Sequence, residues 1–437
     1  MLNKKIFKIL LMWSLSTTTC LGGGVVRDVE TEDVFKVINT PLVKAMDEDI
    51  NNIKFRLTMS DEFNASVSGG KNVYYTAGLI LGVDNASQFL AVSAHELGHI
   101  KGRHLNLLNK SLGTAKSISA GAIALGVLGS LARGGVDSFL GTAMLGNQVA
   151  ERSLLAGIRA HEIEADYEAL SLMKKAKISP IGQVQINQKM LEKRGYSSKQ
   201  SVYNQTHPAS EDRLAIAKDG LKASPYKNKK YSKDIERRFM RVRAKLFGYL
   251  RDTKSVFYLY PKTDTSDLAR YARAMYYYAN HNGVDGVKEM EFLIKKYPND
   301  AYYLGSYANI LYAAGKLKKA IAVYKKALKI YPSAGLMWIE YAKYNIDLGT
   351  KQSLKEAEYS LFRAKRYESG SFYLYYIMTA LYSKTKEEGK RFLARAEGMY
   401  ILGDPAALST ATQAQAILPK ASAEYLRSSD IIKLLSK

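Results

Sequence analysis

The sequence predicts a mainly α chain with a small β-sheet: an α+β first half, then an α-solenoid of paired helices. Three observations carry this. β-forming residues are confined to short stretches around Phe55–Met59 and Val73–Thr76; apolar residues elsewhere recur at helical spacing; and the last third of the chain repeats itself every 34 residues. A chain of 437 residues has room for two or three domains, each with its own core. The boundaries expected are 1–20 for an export signal, 25–222 for a first domain, 223–266 for a connecting helix and loop, and 267–437 for the repeats.

Met1–Leu15 places lysines before a short apolar stretch, the pattern of an export signal and too short for a permanent membrane anchor. Cys20, the only cysteine, excludes intramolecular disulfides and stands where a bacterial lipoprotein carries its lipid. Thr17–Thr19 departs from the Leu and small residues that usually precede such a cysteine, so simple export and lipidation both fit. Val34, Ile38, Leu42 and Met46 mark a helix between Val25 and Ile53, which Pro41 is expected to kink or split. Two or three strands follow, joined by turns that include Gly69 and Gly70. Gln88–Leu108 reads as one helix.

The Ala- and Gly-rich stretch Ala115–Ala150 reads as a mobile helical pair or flap, its uncharged part being shorter than the ~20 residues a membrane span needs. A membrane hairpin is the rival reading. Glu151–Lys175 is a further helix. In the repeats, Tyr297-Pro298 recurs as Tyr331-Pro332 and Gly315 recurs as Gly349, the period of tetratricopeptide helix pairs. Asn299–Pro332 holds the fullest copy, with Ala308, Tyr312, Gly315, Ala320, Tyr324 and Ala327; degraded copies flank it at Ala272–Pro298 and Ser333–Tyr367, and an irregular one spans Ser371–Leu402. Gly and Ala at these places are expected to let the two helices approach.

Sixty-four Lys and Arg against 41 Asp and Glu leave a net charge of +23. The basic residues are dispersed, so they read as solvated helix faces suited to a membrane surface, with no nucleic-acid partner expected.

The chemistry centres on His95-Glu-Leu-Gly-His99. Residues four apart share a helix face, so both imidazoles reach one zinc ion while Glu96 lies beside them. A catalytic zinc takes a third protein ligand, and Ala160-His-Glu-Ile-Glu-Ala-Asp166 offers one: Glu162, with Asp166 one turn on to accept a hydrogen bond from the outer nitrogen of a ligand histidine. Glu96 is then the general base toward zinc-activated water. His207 and Arg213 are candidates to stabilise the oxyanion; His207 fits equally the fourth zinc position, where it would hold the site latent. His104, five residues after His99, falls off the ligand face, and His161 points away from Glu162; both read as structural.

Asn64-Ala65, Tyr75-Thr-Ala-Gly-Leu79, His95–Ile100 with His104, Glu162–Asp166, and His207-Pro208 with Arg213 together resemble the HtpX-like and CAAX-protease-like family of gluzincin zinc metallopeptidases. With a signal in front and repeats behind, the chain is most similar to that family's periplasmic BepA-type branch. The resemblance covers about Val34–Leu221 motif by motif and the repeats in architecture only. It implies a zincin-like domain with one zinc on His95, His99 and Glu162, Glu96 as base, and His207 and Arg213 in support. It implies substrate backbone held along the Asn64–Tyr74 region, where Asn64, Ala65, Gly69 and Gly70 admit an added strand. It further implies a cell-envelope endopeptidase acting on misfolded or unassembled proteins, whose repeats contact clients or an assembly complex. The alternative is a periplasmic repeat-type chaperone whose protease activity is latent.

Overall fold

A computed structural model describes residues 24–69, 71–104, 148–194, 207 and 210–436. The expected export signal, Cys20, most of the Ala115–Ala150 stretch, Gly70 and Pro208 lie outside the described residues. The chain divides into two compact units, Met1–Arg243 and Ala244–Lys437.

The first unit is built on four strands and the helices that cover them. β1 (Val25–Val26), β2 (Lys54–Thr58), β3 (Ala65–Ser68) and β4 (Asn72–Thr76) lie in the order β1-β2-β4-β3. β2 and β4 are parallel, with Phe55 opposite Val73 and Leu57 opposite Tyr75, and the other two pairs are antiparallel. β3 is therefore an edge strand. Helix α1 (Val29–Ala45) is capped by Asp28, whose carboxylate accepts from the Thr31 amide. It runs through Pro41 unbroken, contrary to the expected split. The hydrogen bond that proline removes belongs to the Val37 carbonyl, on a residue that is itself exposed, so water can serve it.

Thr76 joins β4 to α2 (Ala77–Gly82) and caps it through the Leu79 amide. Asn85 caps α3 (Ala86–Lys101), in which Phe89 to Gly98 are all buried. α3 is thus the central helix, packed against α4 (Gln148–Lys175) and α5 (Ile181–Arg194). Its apolar end anchors an aromatic cluster: the Phe89 ring lies 4.7 Å from Tyr75, 5.3 Å from Phe35 and 5.2 Å from Phe239. Its other end carries the histidines. Between them Gly98 faces α4 so closely that a Cβ there would sit 2.7 Å from the Ala165 carbonyl oxygen. The expected helix to Leu108 in fact stops at Lys101, because Gly102 caps it and Arg103 turns left-handed, φ 54°.

α6 (Glu211–Ala223), capped by Ser210, packs on α5. The 223–266 connector is largely ordered helix, α7 (Lys233–Leu250) and α8 (Thr253–Leu259). Phe239 and Val242 are fully buried, the Glu236 carboxylate accepts from the Ala86 amide, and Arg241 pairs with buried Glu30. From Ala244 onward α7 belongs to the second unit.

That unit contains five helix pairs: α9 (Asp267–Ala279) with α10 (Gly283–Lys296), α11 (Ala301–Ala313) with α12 (Leu317–Ile330), α13 (Gly335–Leu348) with α14 (Lys351–Glu368), α15 (Phe372–Thr385) with α16 (Glu388–Ile401), and α17 (Ala406–Ile417) with α18 (Ala423–Leu435). The fifth pair goes beyond the four copies expected; it packs on Ala407, Ala411 and Ala414 and carries none of the Tyr-Pro punctuation. Ala308, Ala320 and Ala327 are fully buried, as close helix approach requires. Gly315 works differently: nothing lies near its missing Cβ, and it instead supplies the left-handed turn (φ 76°), as Gly349 does at φ 68°. Most tyrosines pack between helices. Tyr312 stacks on Tyr344 at 4.2 Å, and Asn309 Oδ1 accepts from the hydroxyls of both Tyr324 (2.8 Å) and Tyr344 (2.7 Å). Trp338 is buried on α13, donates to the Pro332 carbonyl (2.9 Å) and meets the Arg363 guanidinium at 5.4 Å. Buried Arg273 forks onto Glu289. Among the described residues no helix is long and apolar enough to cross a membrane.

Candidate metal centre

α3 and α4 lie side by side, and the Gly98–Ala165 approach brings the carboxylates of α4 over the histidines of α3. His95 Nε2 and His99 Nε2 are 3.0 Å apart. Glu162 offers one oxygen to each, Oε2 at 3.2 Å from His95 and Oε1 at 3.3 Å from His99. His207 completes the group, its Nδ1 3.0 Å from both Glu162 oxygens and 3.2 Å from His95 Nε2. All four side chains present a donor within 4.8 Å of the others.

These separations fit a zinc ion. Ligands at about 2.0–2.1 Å in a tetrahedron stand about 3.3 Å from one another. Three ring nitrogens converging on one carboxylate and on each other make little sense as hydrogen bonds alone, since each needs a proton the next would have to lack.

Behind the donors lies a second layer. Asp166 Oδ1 meets His95 Nδ1 at 3.0 Å and Gln183 Nε2 at 3.3 Å. The structure places Arg213 away from the oxyanion role considered for it: its guanidinium forks onto Asp166, Nε to Oδ2 at 2.5 Å and Nη2 to Oδ1 at 2.9 Å, and reaches Glu162 Oε2 at 3.2 Å. Ser210 caps α6 by accepting from the Arg213 amide, and Asn187 donates to the Arg213 carbonyl, so the first turn of α6 aims this side chain inward.

Burial would raise the Asp166 carboxyl, but the Arg213 hydrogen bonds and charge outweigh it and hold the group at about 2. Burial would likewise raise Glu162, yet His207 and His95 keep it well below the usual carboxylate range. Burial and Arg213 push His95 down, while its bonds to Asp166 and Glu162 bring it up to about 9. His99 is driven down to about 3, chiefly by burial. Glu96 is 1% exposed and burial raises it; its Oε1 accepts no hydrogen bond among the described residues, and His207 Nε2 stands 3.5 Å away.

Asn64 and Ala65 lie at the start of edge strand β3, which runs beside α3. The Asn64 backbone is tied to Thr76 in both directions, and its buried side-chain oxygen has no partner among the described residues. Gly69 falls past the strand, in the turn, where its carbonyl accepts from Asn72 Nδ2 at 2.6 Å; the left-handed residue of that turn is Lys71 (φ 57°). His104 was read as lying off the ligand face, yet its Nδ1 stands 2.9 Å from His99 Nδ1. The helix end at Gly102 was the signal that could have found it.

The fold and this donor set define a metallopeptidase domain followed by tetratricopeptide-type helix pairs. Residues 36–219 match the Peptidase family M48, and residues 303–344 match the tetratricopeptide repeat. The chain is similar to the beta-barrel assembly-enhancing protease of Escherichia coli K12, 26% identical over 289 residues, 62% of this chain and 56% of the relative. The protein of the same name in Yersinia pestis is 27% identical over 167 residues, 38% of this chain and 34% of the relative. The chain thus aligns with about half the length of the first of these curated relatives and about a third of the second.

Proposed function

We propose that the chain is an exported zinc metalloendopeptidase of the bacterial cell envelope, cutting misfolded or unassembled proteins that its repeats recruit. The observation that carries this is the group His95, His99, Glu162 and His207 at tetrahedral spacing, with Glu96 beside it, its Oε1 without a hydrogen-bond partner among the described residues. His95, His99 and Glu162 would hold the ion, which when bound supplies Lewis-acid polarisation of a peptide carbonyl and a lowered pKa for water. Glu96 takes the proton of the attacking water and delivers it to the leaving nitrogen. Its burial favours the protonated form that the second step needs. Asp166 fixes the His95 ring, and Arg213 holds Asp166 and Glu162 in place. The edge of β3 supplies backbone groups from Ala65 onward on which an extended substrate adds as a strand, with the side chain of Asn64, whose own backbone is tied to Thr76, at its start.

The repeats fit recruitment of clients or of an envelope assembly complex, a reading supported by the name of the relatives. The basic surface suits contact with the membrane, to which lipidation of Cys20 would tether the protein. The test is cleavage of an unfolded outer-membrane protein by purified protein with one zinc per chain. Glu96→Gln should keep the zinc and lose cleavage; equal cleavage by that variant overturns the mechanism.

A second reading is favoured by one distance: His207 Nδ1, 3.0 Å from both Glu162 oxygens, occupies the fourth corner, where an active site needs room for water. In this reading the structure is latent and the chain acts first as a repeat-type chaperone. His207→Ala should then raise proteolysis several-fold, and a fall would assign His207 to the oxyanion instead.

A further inference from the structure

A zinc-bound imidazole uses one nitrogen for the metal, and whatever faces the other fixes its tautomer and tilt. For His95 that partner is Asp166. For His99 the outer nitrogen meets no carboxylate among the described residues: its Nε2 faces His95 and Glu162, and its Nδ1 faces His104 Nδ1 at 2.9 Å. We infer that His104 is the positioning residue for His99, a histidine serving a histidine, with Glu164 behind it.

The proton count works in one arrangement. With Nε2 of His99 given to the metal, its Nδ1 carries the hydrogen and donates, so His104 Nδ1 must present a lone pair. His104 is then neutral with its hydrogen on Nε2, a nitrogen that lies 3.2 Å from Glu164 Oε2 but makes no hydrogen bond among the described residues. A lysine or a charged imidazole at this place could not accept, whereas a neutral histidine can.

Local features of the chain put the ring there. Had α3 continued, residue 104 would lie about 140° around the helix from His99, facing away. Gly102 ends the helix instead, and Arg103 takes the left-handed conformation with its amide bonded to the Ile100 carbonyl (3.2 Å), which takes His104 off the helical spiral. The imidazole folds over Gly102, where an added Cβ would sit 2.3 Å from His104 Nε2. On its other side it stacks on His161, centroids 4.6 Å apart and planes 7° from parallel. His104 is 4% exposed, so the ring is clamped between the glycine and His161.

The inference rests on the zinc site proposed above, and the experiment separates the two. Zinc affinity is measured by competition with a chelating dye for wild type, His95→Ala, His104→Ala and His104→Asn, with the melting temperature of each metal-free protein alongside. His104→Ala should bind zinc about 10–100-fold more weakly, the usual cost of losing a partner behind a ligand. His104→Asn, whose amide oxygen can accept from Nδ1–H, should recover most of that loss. If wild type binds zinc no more tightly than His95→Ala, the metal-site reading fails. If wild type binds tightly and His104→Ala binds equally well, only this inference fails. It also fails if His104→Asn is as weak as His104→Ala while both metal-free variants melt like wild type, since packing rather than acceptance would then be what His104 supplies.

Discussion

Gly98→Ala should damage the metal centre without touching a ligand. Gly98 sits between His95 and His99 on α3 and faces Ala165, which lies between Glu162 and Asp166 on α4. The new Cβ would stand 2.7 Å from the Ala165 carbonyl oxygen and 3.2 Å from its Cα, both backbone atoms that cannot rotate aside. Ordinary contact begins near 3.4 Å, so α4 must retreat by 3.4 − 2.7, about 0.7 Å. Zinc ligand distances tolerate only about 0.2 Å, and Glu162 retreats with its helix. The helix itself gains about 0.5–1 kcal/mol from alanine, against about 1–3 kcal/mol lost to overpacking. Zinc affinity should fall at least tenfold, and the metal-free melting temperature should stay or drop. The assay is dye competition together with a thermal melt. A Gly98→Ala protein that binds zinc like wild type and melts higher would refute the idea that this close approach sets the geometry.

Further outcomes follow from charges the fold buries. Arg213→Ala leaves Asp166 and Glu162 without their cation and should cost about 3–5 kcal/mol of stability in the metal-free protein, read by denaturant titration, with Arg213→Lys failing to restore the fork. Asp166 is depressed from 3.8 to about 2, so its stabilising contribution is complete above pH 4 and drains away as pH falls toward 2. The metal-free wild type should therefore lose stability across that window more steeply than Asp166→Asn, as followed by circular dichroism. In the repeats, Arg273→Ala leaves Glu289 with Arg270 alone (3.1 Å) and removes three contacts to backbone carbonyls, and should cost about 2 kcal/mol, visible as an earlier melt of the second unit.

Local signals were the legible ones. His95 and His99 are four apart on one helix, so their shared face follows from the pitch, and the 34-residue period announces its own helix pairs. Glu162 and Asp166 were reachable because the acidic cluster stands on a strongly helical stretch. His104 was not, since one left-handed residue at Arg103 reverses the direction that helical spacing assigns. Nor was the placement of Arg213: a loop and helix start say nothing of which carboxylate the side chain will grip. A connecting helix was expected in 223–266, but a helix in sequence does not name its partner; that the first half of α7 covers Phe89 through Phe239 is a tertiary fact. The fifth helix pair escaped because small alanines do the packing there, without the Tyr-Pro and Gly marks of its neighbours.

The packing of Trp338 gives the chain an optical handle. Its only other tryptophan, Trp13, lies in the expected export signal. In protein lacking residues 1–20, every photon of indole emission would come from α13, beside Arg363 and under the Pro332 carbonyl. Fluorescence then watches the repeats alone, while zinc content watches the peptidase domain. A client that docks on the repeats can be timed by the first signal, and any response of the metal centre by the second, in a single unlabelled sample.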